Sequence, residues 1–127
     1  MTRSLVVALL ASGALVASAA PALAHHSFAM FDRANPVELE GTVREFKYVA
    51  PHSFILLEVK DTDGSSTVWN LEGGAPSLLA REGWTRASLK PGDQIRLMVD
   101  PLRSGAPGGA WNAGKVKFKD GRPIIGE

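Results

Sequence analysis

The stretch SFILLEVKDTDGSSTVWNLE, residues 53–72, decides the fold. In its first half Ile55, Leu57 and Val59 recur with the period of two that is typical of β-strands, while Phe54 and Leu56 lie on the other face. Its second half carries the apolar residues Val68, Trp69 and Leu71. The segment Asp61–Gly64 between the halves has the composition of a tight turn. The stretch therefore predicts a β-hairpin with strands over Ser53–Lys60 and Thr67–Glu72. The first of these strands is apolar on both faces, which predicts a central position in its sheet.

A further strand is predicted before this hairpin. Val37, Leu39, Gly41 and Val43 alternate with polar residues, and the alternation slips by one residue at Glu45. A slip of this kind predicts a β-bulge in a strongly coiled strand.

After the hairpin, the sequence predicts one short helix and two more strands. The helix covers Pro76–Glu82, since proline is favoured in a first turn and Gly83 ends the apolar pattern. The strands cover Gln94–Val99 and Trp111–Lys119, and the glycine-rich segment Ser104–Ala110 between them is predicted to be a flexible loop. This order predicts an all-β fold, a five-stranded Greek-key barrel of the OB type with a short helix between strands 3 and 4. An open antiparallel sandwich is the alternative.

The first 24 residues, MTRSLVVALLASGALVASAAPALA, predict a cleavable signal peptide. Arg3 precedes an apolar core over Leu5–Val16, and Ala22-Leu23-Ala24 is the small-residue pattern that signal peptidase accepts. The core is shorter than the roughly 20 residues of a membrane span. We expect export to the periplasm or the medium, with no membrane span after cleavage. The predicted parts are the signal peptide over residues 1–24, a lead-in segment over 25–36 and the OB-like domain over 37–127.

Charge and cysteine content exclude several classes of function. The chain has 14 Lys+Arg and 13 Asp+Glu, so the loss of Arg3 with the signal peptide leaves a neutral protein. Nonspecific nucleic-acid binding depends on a cationic excess, and we therefore expect no nucleic-acid partner. The chain has no cysteine, which rules out disulfides, thiolate metal sites and thiol catalysis.

The three histidines, His25, His26 and His52, are the candidate metal ligands. Cleavage after Ala24 makes His25 the first residue, and its α-amine and imidazole then chelate a metal together. An imidazole from His52, in the loop between the first two strands, completes a set of three nitrogens that suits copper(II). His26 is the alternative third ligand. The arrangement is similar to the histidine brace of lytic polysaccharide monooxygenases and of some periplasmic copper carriers.

From these residues we expect a non-enzymatic periplasmic protein that binds copper. The sequence contains no nucleophile elbow and no phosphate-binding loop, and it predicts no catalytic residue. One alternative is a metal-free OB-like module that binds a peptide, a glycan or a periplasmic partner protein through the barrel face around Trp69. Another is a copper-dependent redox enzyme, which is disfavoured because such enzymes usually need an axial aromatic residue and the chain has a single tyrosine, Tyr48.

A basic stripe follows the last predicted strand and consists of Lys115, Lys117, Lys119 and Arg122. Lysines in such a position commonly protect an edge strand against aggregation, which is the interpretation that we prefer. An anionic partner or a membrane surface is the alternative.

Several short motifs stand in one order along the chain: HHSF at His25–Phe28, Pro51-His52, Glu72-Gly73-Gly74-Ala75-Pro76, Gly83-Trp84 and Leu89-Lys90-Pro91-Gly92-Asp93. In this combination the chain resembles the domain of unknown function 6152 family, a group of small exported bacterial proteins. The resemblance covers nearly the whole of residues 25–127. It implies a periplasmic setting, carries no activity, and marks HHSF and Pro51-His52 as parts of the family pattern.

Overall fold

The computed structural model describes residues 28–125, which contain five strands and one short helix. In chain order these elements are β1 (Val37–Lys47), β2 (Phe54–Lys60), β3 (Ser66–Glu72), α1 (Pro76–Arg81), β4 (Gln94–Pro101) and β5 (Gly108–Phe118). The strands form a closed barrel in the order β1-β2-β3-β5-β4, and β1 also pairs with β4. The predicted all-β barrel of the OB type is confirmed, and the described strands do not form an open sandwich.

The first strand bends so that it pairs with two neighbours. The N-terminal half of β1 pairs with β4 and the C-terminal half with β2, both in antiparallel register. The register with β2 shifts between Val43 and Glu45, where the sequence predicted a bulge. Gly41 lies just before the bend, and an ideal Cβ there would be 2.4 Å from the carbonyl oxygen of Glu58. The lack of a side chain at this position therefore lets β1 pass close to β2.

The end of one predicted loop is part of the barrel. Gly108–Ala110, which the sequence assigned to a flexible loop, begin β5 and pair in parallel with Asn70–Glu72 of β3. The loop prediction was wrong here because close packing, rather than flexibility, requires the glycines. An ideal Cβ on Gly109 would lie 2.4 Å from Cγ1 of Val99. These three residues of β5 join it to β3 and close the barrel.

The barrel encloses a continuous apolar core. Alternate side chains of the strands point inward, as the sequence pattern predicted. The side chains with 1 % exposure or less include Val43, Ile55, Leu57, Leu71, Ile95, Leu97 and Val99. Burial of an aliphatic side chain of this size contributes roughly 1.5–3 kcal/mol.

The short helix adds to this core and ends one residue earlier than predicted. Leu79 of α1 is 3 % exposed, and Trp84, which follows the helix, is 2 % exposed. The N–H of Trp84 donates a hydrogen bond of 3.0 Å to the carbonyl of Leu79. Gly83 has a φ of 84°, a left-handed conformation that glycine adopts readily after a helix. The chain therefore turns sharply and places Trp84 in the core.

Residues outside the five strands also form backbone contacts with the barrel. Phe31 is buried and forms an isolated β-bridge with Leu102, and Pro123 forms another with Lys117. Across residues 28–125, no helix has both the length and the apolar character that crossing a membrane would require.

Candidate functional site at the loop between β1 and β2

The loop between β1 and β2 is held against the end of β3. Ser53 is fully buried, and its Oγ donates a hydrogen bond of 2.8 Å to the carbonyl of Gly74. The backbone N–H of Ser53 donates to the same carbonyl at 3.1 Å, and the N–H of Gly73 donates to the Ser53 carbonyl at 2.8 Å. These three bonds continue the β2–β3 pairing past the strand ends. They fix the backbone next to His52.

His52 is the residue of this loop whose side chain can bind a metal ion. Its Nδ1 lies 3.4 Å from Oε1 of Glu72 and 3.4 Å from the carbonyl oxygen of Gly73. The side chains of His52 and Glu72 are 45 % and 32 % exposed. A proton on Nδ1 that faces these two acceptors leaves the lone pair of the neutral imidazole on Nε2. Metal-binding histidines usually have this arrangement, in which one ring nitrogen donates to a carboxylate or carbonyl and the other binds the metal.

A buried indole lies directly behind the backbone of this site. An ideal Cβ on Gly73 would be 2.3–2.6 Å from three atoms of the Trp111 ring. Trp111 is 6 % exposed, and its Nε1–H has no hydrogen-bond partner within the described residues. Trp84 packs against it, with 5.1 Å between the ring centroids. The carbonyl that faces His52 therefore belongs to a backbone segment in contact with the aromatic core.

One of the three predicted copper ligands lies within the described residues. His52 is in the β1–β2 loop, as the sequence predicted, whereas His25 and His26 lie outside the described residues together with the predicted cleavage site after Ala24. Between residues 28 and 125, no three His, Cys, Asp or Glu side chains form a group that could hold a metal ion. This part of the chain contributes one imidazole and one carboxylate to the candidate site.

Glu72 is the site residue that the sequence did not reveal. Its position before two glycines is typical of a residue that ends a strand, and this pattern does not indicate a contact with His52. The signal was present in the hairpin register, in which Lys60 lies opposite Ser66 and Phe54 opposite Glu72. His52 precedes Phe54 by two residues and so lies on the same side of the sheet beside Glu72.

The outer face of β2 and β3 is the face that OB-type barrels use for ligands. It carries Phe54 and Leu56, which are half-buried, and Val68, which is 47 % exposed. Trp69, around which the sequence predicted a binding face, is half-buried and packs against the core. Each of these three apolar residues lies opposite a polar one in the β2–β3 register: Phe54 opposite Glu72, Leu56 opposite Asn70 and Val68 opposite Glu58.

The outer face of β4 and β5 is basic, as the sequence predicted. Lys115 and Lys117 are exposed there, and Glu40 on β1 bonds to both Lys119 and Arg96 at 2.9 Å. The Lys119 ammonium and, next, the Arg96 guanidinium hold the pKa of the Glu40 carboxyl below its ordinary 4.5. A groove of about 350 Å³ runs among these side chains.

Comparisons with known proteins give a family and a fold. The model of a family of unknown function, DUF6152, matches residues 12–112. No curated protein matches the chain. Two crystal structures of the mitochondrial single-stranded DNA binding protein Rim1 from S. cerevisiae are similar to it, at 9 % identity over 67 % of this chain and 93 % of Rim1. Their TM-scores are 0.50 and, for the selenomethionine form, 0.49. At this identity the similarity concerns the fold alone.

Proposed function

The chain belongs to the family of unknown function DUF6152, as its motifs indicated, and within it we propose an exported, non-enzymatic protein that binds copper(II). One observation carries the proposal. Nδ1 of His52 faces the carboxylate of Glu72 and the carbonyl of Gly73, and a proton on Nδ1 would leave the lone pair of Nε2 available to a metal ion. In the proposal, the amine and ring of His25 and the ring of His26 are the other candidate donors. Nitrogen donors of these kinds suit copper(II).

Two nearby hydroxyl groups take part in the fold, which supports a binding role over a catalytic one. The Tyr48 hydroxyl lies 2.9 Å from the carbonyl of Pro76 and 3.2 Å from that of Trp84. Ser53 donates its hydroxyl proton to a backbone carbonyl. A copper-dependent redox enzyme is therefore the weaker alternative. Its test is whether copper-loaded protein oxidises ascorbate faster than the same concentration of free copper(II), and we expect that it does not.

Copper titration of the processed protein tests the proposal. Periplasmic expression should yield a protein whose N-terminal sequence begins at His25. We expect copper(II) to bind it with one-to-one stoichiometry by calorimetry and to quench tryptophan fluorescence, since Trp111 contacts the backbone beside His52. Electron paramagnetic resonance should show nitrogen ligands.

Matched variants identify the ligands. We expect His52→Gln and a variant with one glycine inserted before His25 to bind copper(II) at least about tenfold more weakly, since each loses a donor. Lys60→Gln, on the exposed end of β2, is the control and should bind as the parent does. Equal affinity in all four proteins would refute a site that uses His52 and the α-amine.

The second candidate function is a metal-free binding module, and the apolar side chains of Phe54, Leu56 and Val68 on the outer face of β2 and β3 are the observation that favours it. The ligand of such a face would be an extended peptide segment of a periplasmic partner, whose side chains can meet apolar and polar positions in alternation, and Val68 is 47 % exposed to it. A peptide array should then give hits that Val68→Lys abolishes and that Thr62→Lys, in the adjacent turn, retains. Hits that both variants retain, or an array without hits, would count against this candidate.

A further inference from the structure

The basic face of the barrel has a surplus of positive charge that the fold does not neutralise. We define this face by Arg96, Lys115, Lys117 and Lys119. Glu40 bonds to Arg96 and Lys119, and Glu38 lies 3.4 Å from Arg96. Within the described residues, Lys115 and Lys117 form no ion pair. Two exposed ammonium groups therefore remain beside two cations that are already paired.

The strand register places like charges next to each other. Lys117 lies directly opposite Arg96 across the β4–β5 pair. Like charges in opposite positions destabilise a sheet, and Glu38 and Glu40 offset the charge of Arg96, which leaves Lys117 as the member of the pair without a carboxylate partner among the described residues. This placement therefore favours an anionic partner for the basic face.

Protection of an edge strand does not account for Lys117. Lys117 pairs with Arg96 of β4 on one side, and on the other side Pro123 forms a bridge with Lys117. The N–H of Phe118 also donates to the carbonyl of Arg122 at 2.9 Å. Because the chain itself covers this edge, the lysine has no free edge to protect there.

The shape and chemistry of the face fit an anionic phospholipid surface. Alternation along β5 directs Lys115 and Lys117 outward, and Lys119 continues the row, so the lysines span roughly 13 Å at 3.3 Å per residue. Half-buried Met98 and Phe118 line the groove between them. Lysine ammonium groups are compact charges that suit a diffuse anionic surface, and each contributes about a fivefold increase in partitioning. We propose that the basic face docks the protein on anionic phospholipid headgroups.

A nucleic acid fits the same face less well. Binding of single strands depends on exposed aromatic rings that stack with the bases. Phe118 is the aromatic residue that lines the groove, and the Arg122 guanidinium lies 4.9 Å from its ring centroid. The ring is therefore already engaged on one face.

Vesicle cosedimentation of the processed protein tests the proposal. We expect binding to phosphatidylcholine vesicles with 30 % phosphatidylglycerol, little binding to pure phosphatidylcholine, and weaker binding at 150 mM than at 20 mM salt because of screening. Lys115→Gln/Lys117→Gln should reduce partitioning about thirtyfold, and Lys115→Glu/Lys117→Glu further.

The control has the same change in net charge at other exposed positions. Lys47→Glu/Arg81→Glu, at exposed positions outside the groove of the basic face, should keep partitioning within about threefold of the parent at 150 mM salt, where the Debye length is about 8 Å. Circular dichroism and thermal unfolding establish that each variant is folded. Equal losses in both double Glu variants, or equal binding to neutral and anionic vesicles, would overturn the proposal. Binding of an unlabelled thymidine 20-mer without binding of vesicles would assign the face to nucleic acid instead.

Discussion

Substitution of Gly73 by alanine tests whether the backbone at the His52 site rests on the aromatic core. The new Cβ would lie 2.3 Å from Cε2, 2.4 Å from Nε1 and 2.6 Å from Cζ2 of Trp111. Ordinary contacts between such atoms begin near 3.5 Å, so ring and backbone must separate by about 1 Å. Trp111 has little room to move, since Trp84 and Phe46 pack against it.

The expected loss of stability follows from two opposing effects. Overpacking of a buried site costs about 1–3 kcal/mol. Alanine also lowers the conformational entropy of the unfolded chain. This stabilises the folded protein by about 0.4–1 kcal/mol where the native backbone conformation suits alanine. Gly73 has no positive φ, so this gain applies. We expect Gly73→Ala to lower the free energy of unfolding by about 1–2 kcal/mol.

Urea unfolding followed by tryptophan fluorescence measures this loss. With a slope of about 1–2 kcal/mol/M, the midpoint should fall by roughly 0.5–2 M. Gly114→Ala is the control, because its nearest neighbour would be Oδ1 of Asn112 at 3.5 Å, an ordinary contact. The reasoning is refuted if Gly73→Ala unfolds within 0.3 M of the parent, roughly the scatter of such midpoints, and keeps its near-ultraviolet circular dichroism.

Three further predictions concern the barrel. Leu57→Ala, at a fully buried position, should lower the free energy of unfolding by about 2–5 kcal/mol in a urea titration, and a loss below 1 kcal/mol would contradict the described core. Tyr48→Phe should cost about 1–2 kcal/mol in the same assay, because the hydroxyl whose one proton faces the carbonyls of Pro76 and Trp84 is lost, and an unchanged free energy of unfolding would contradict this contribution. Because the pKa of Glu40 is depressed in the folded protein, its contribution to stability is present above pH 4.5 and is lost as the pH falls through the folded pKa. A carboxyl titration by nuclear magnetic resonance should therefore show that Lys119→Ala raises the pKa of Glu40 towards 4.5, and an unchanged pKa would exclude Lys119 as its main cause.

The features that the sequence revealed are those encoded locally. The alternation of Val37 to Val43 and its slip at Glu45 indicated a bulged strand, and the register shifts at that place. The turn at Asp61–Gly64 fixed a hairpin whose strands match the prediction within one residue. Local alternation and turn composition are sufficient for such features, because they depend on neighbours in the chain.

The features that the sequence did not reveal depend on partners that are distant in the chain. Gly108–Ala110 have the composition of a loop, and only the approach of β3 and Val99 shows why glycine is required there. The sequence predicted the loop in which His52 lies. Its contact with Glu72 depends on the strand register of the β2–β3 hairpin, which pairs residues up to 18 positions apart in the chain. The roles of His25 and His26 stay a prediction for the copper titration to test.

The short parallel contact between β3 and β5 also has a consequence for folding kinetics. β5, which leaves the ribosome after the other four described strands, supplies both the partner of β4 and the residues that join the sheet to β3. Contacts between segments so far apart in the chain form slowly, since loop closure must come first. A nascent chain that ends before Gly108 therefore leaves β3 and β4 each with one unpaired side. Late closure would keep the polypeptide loose during synthesis, which is the state that the proposed secretion across a membrane requires.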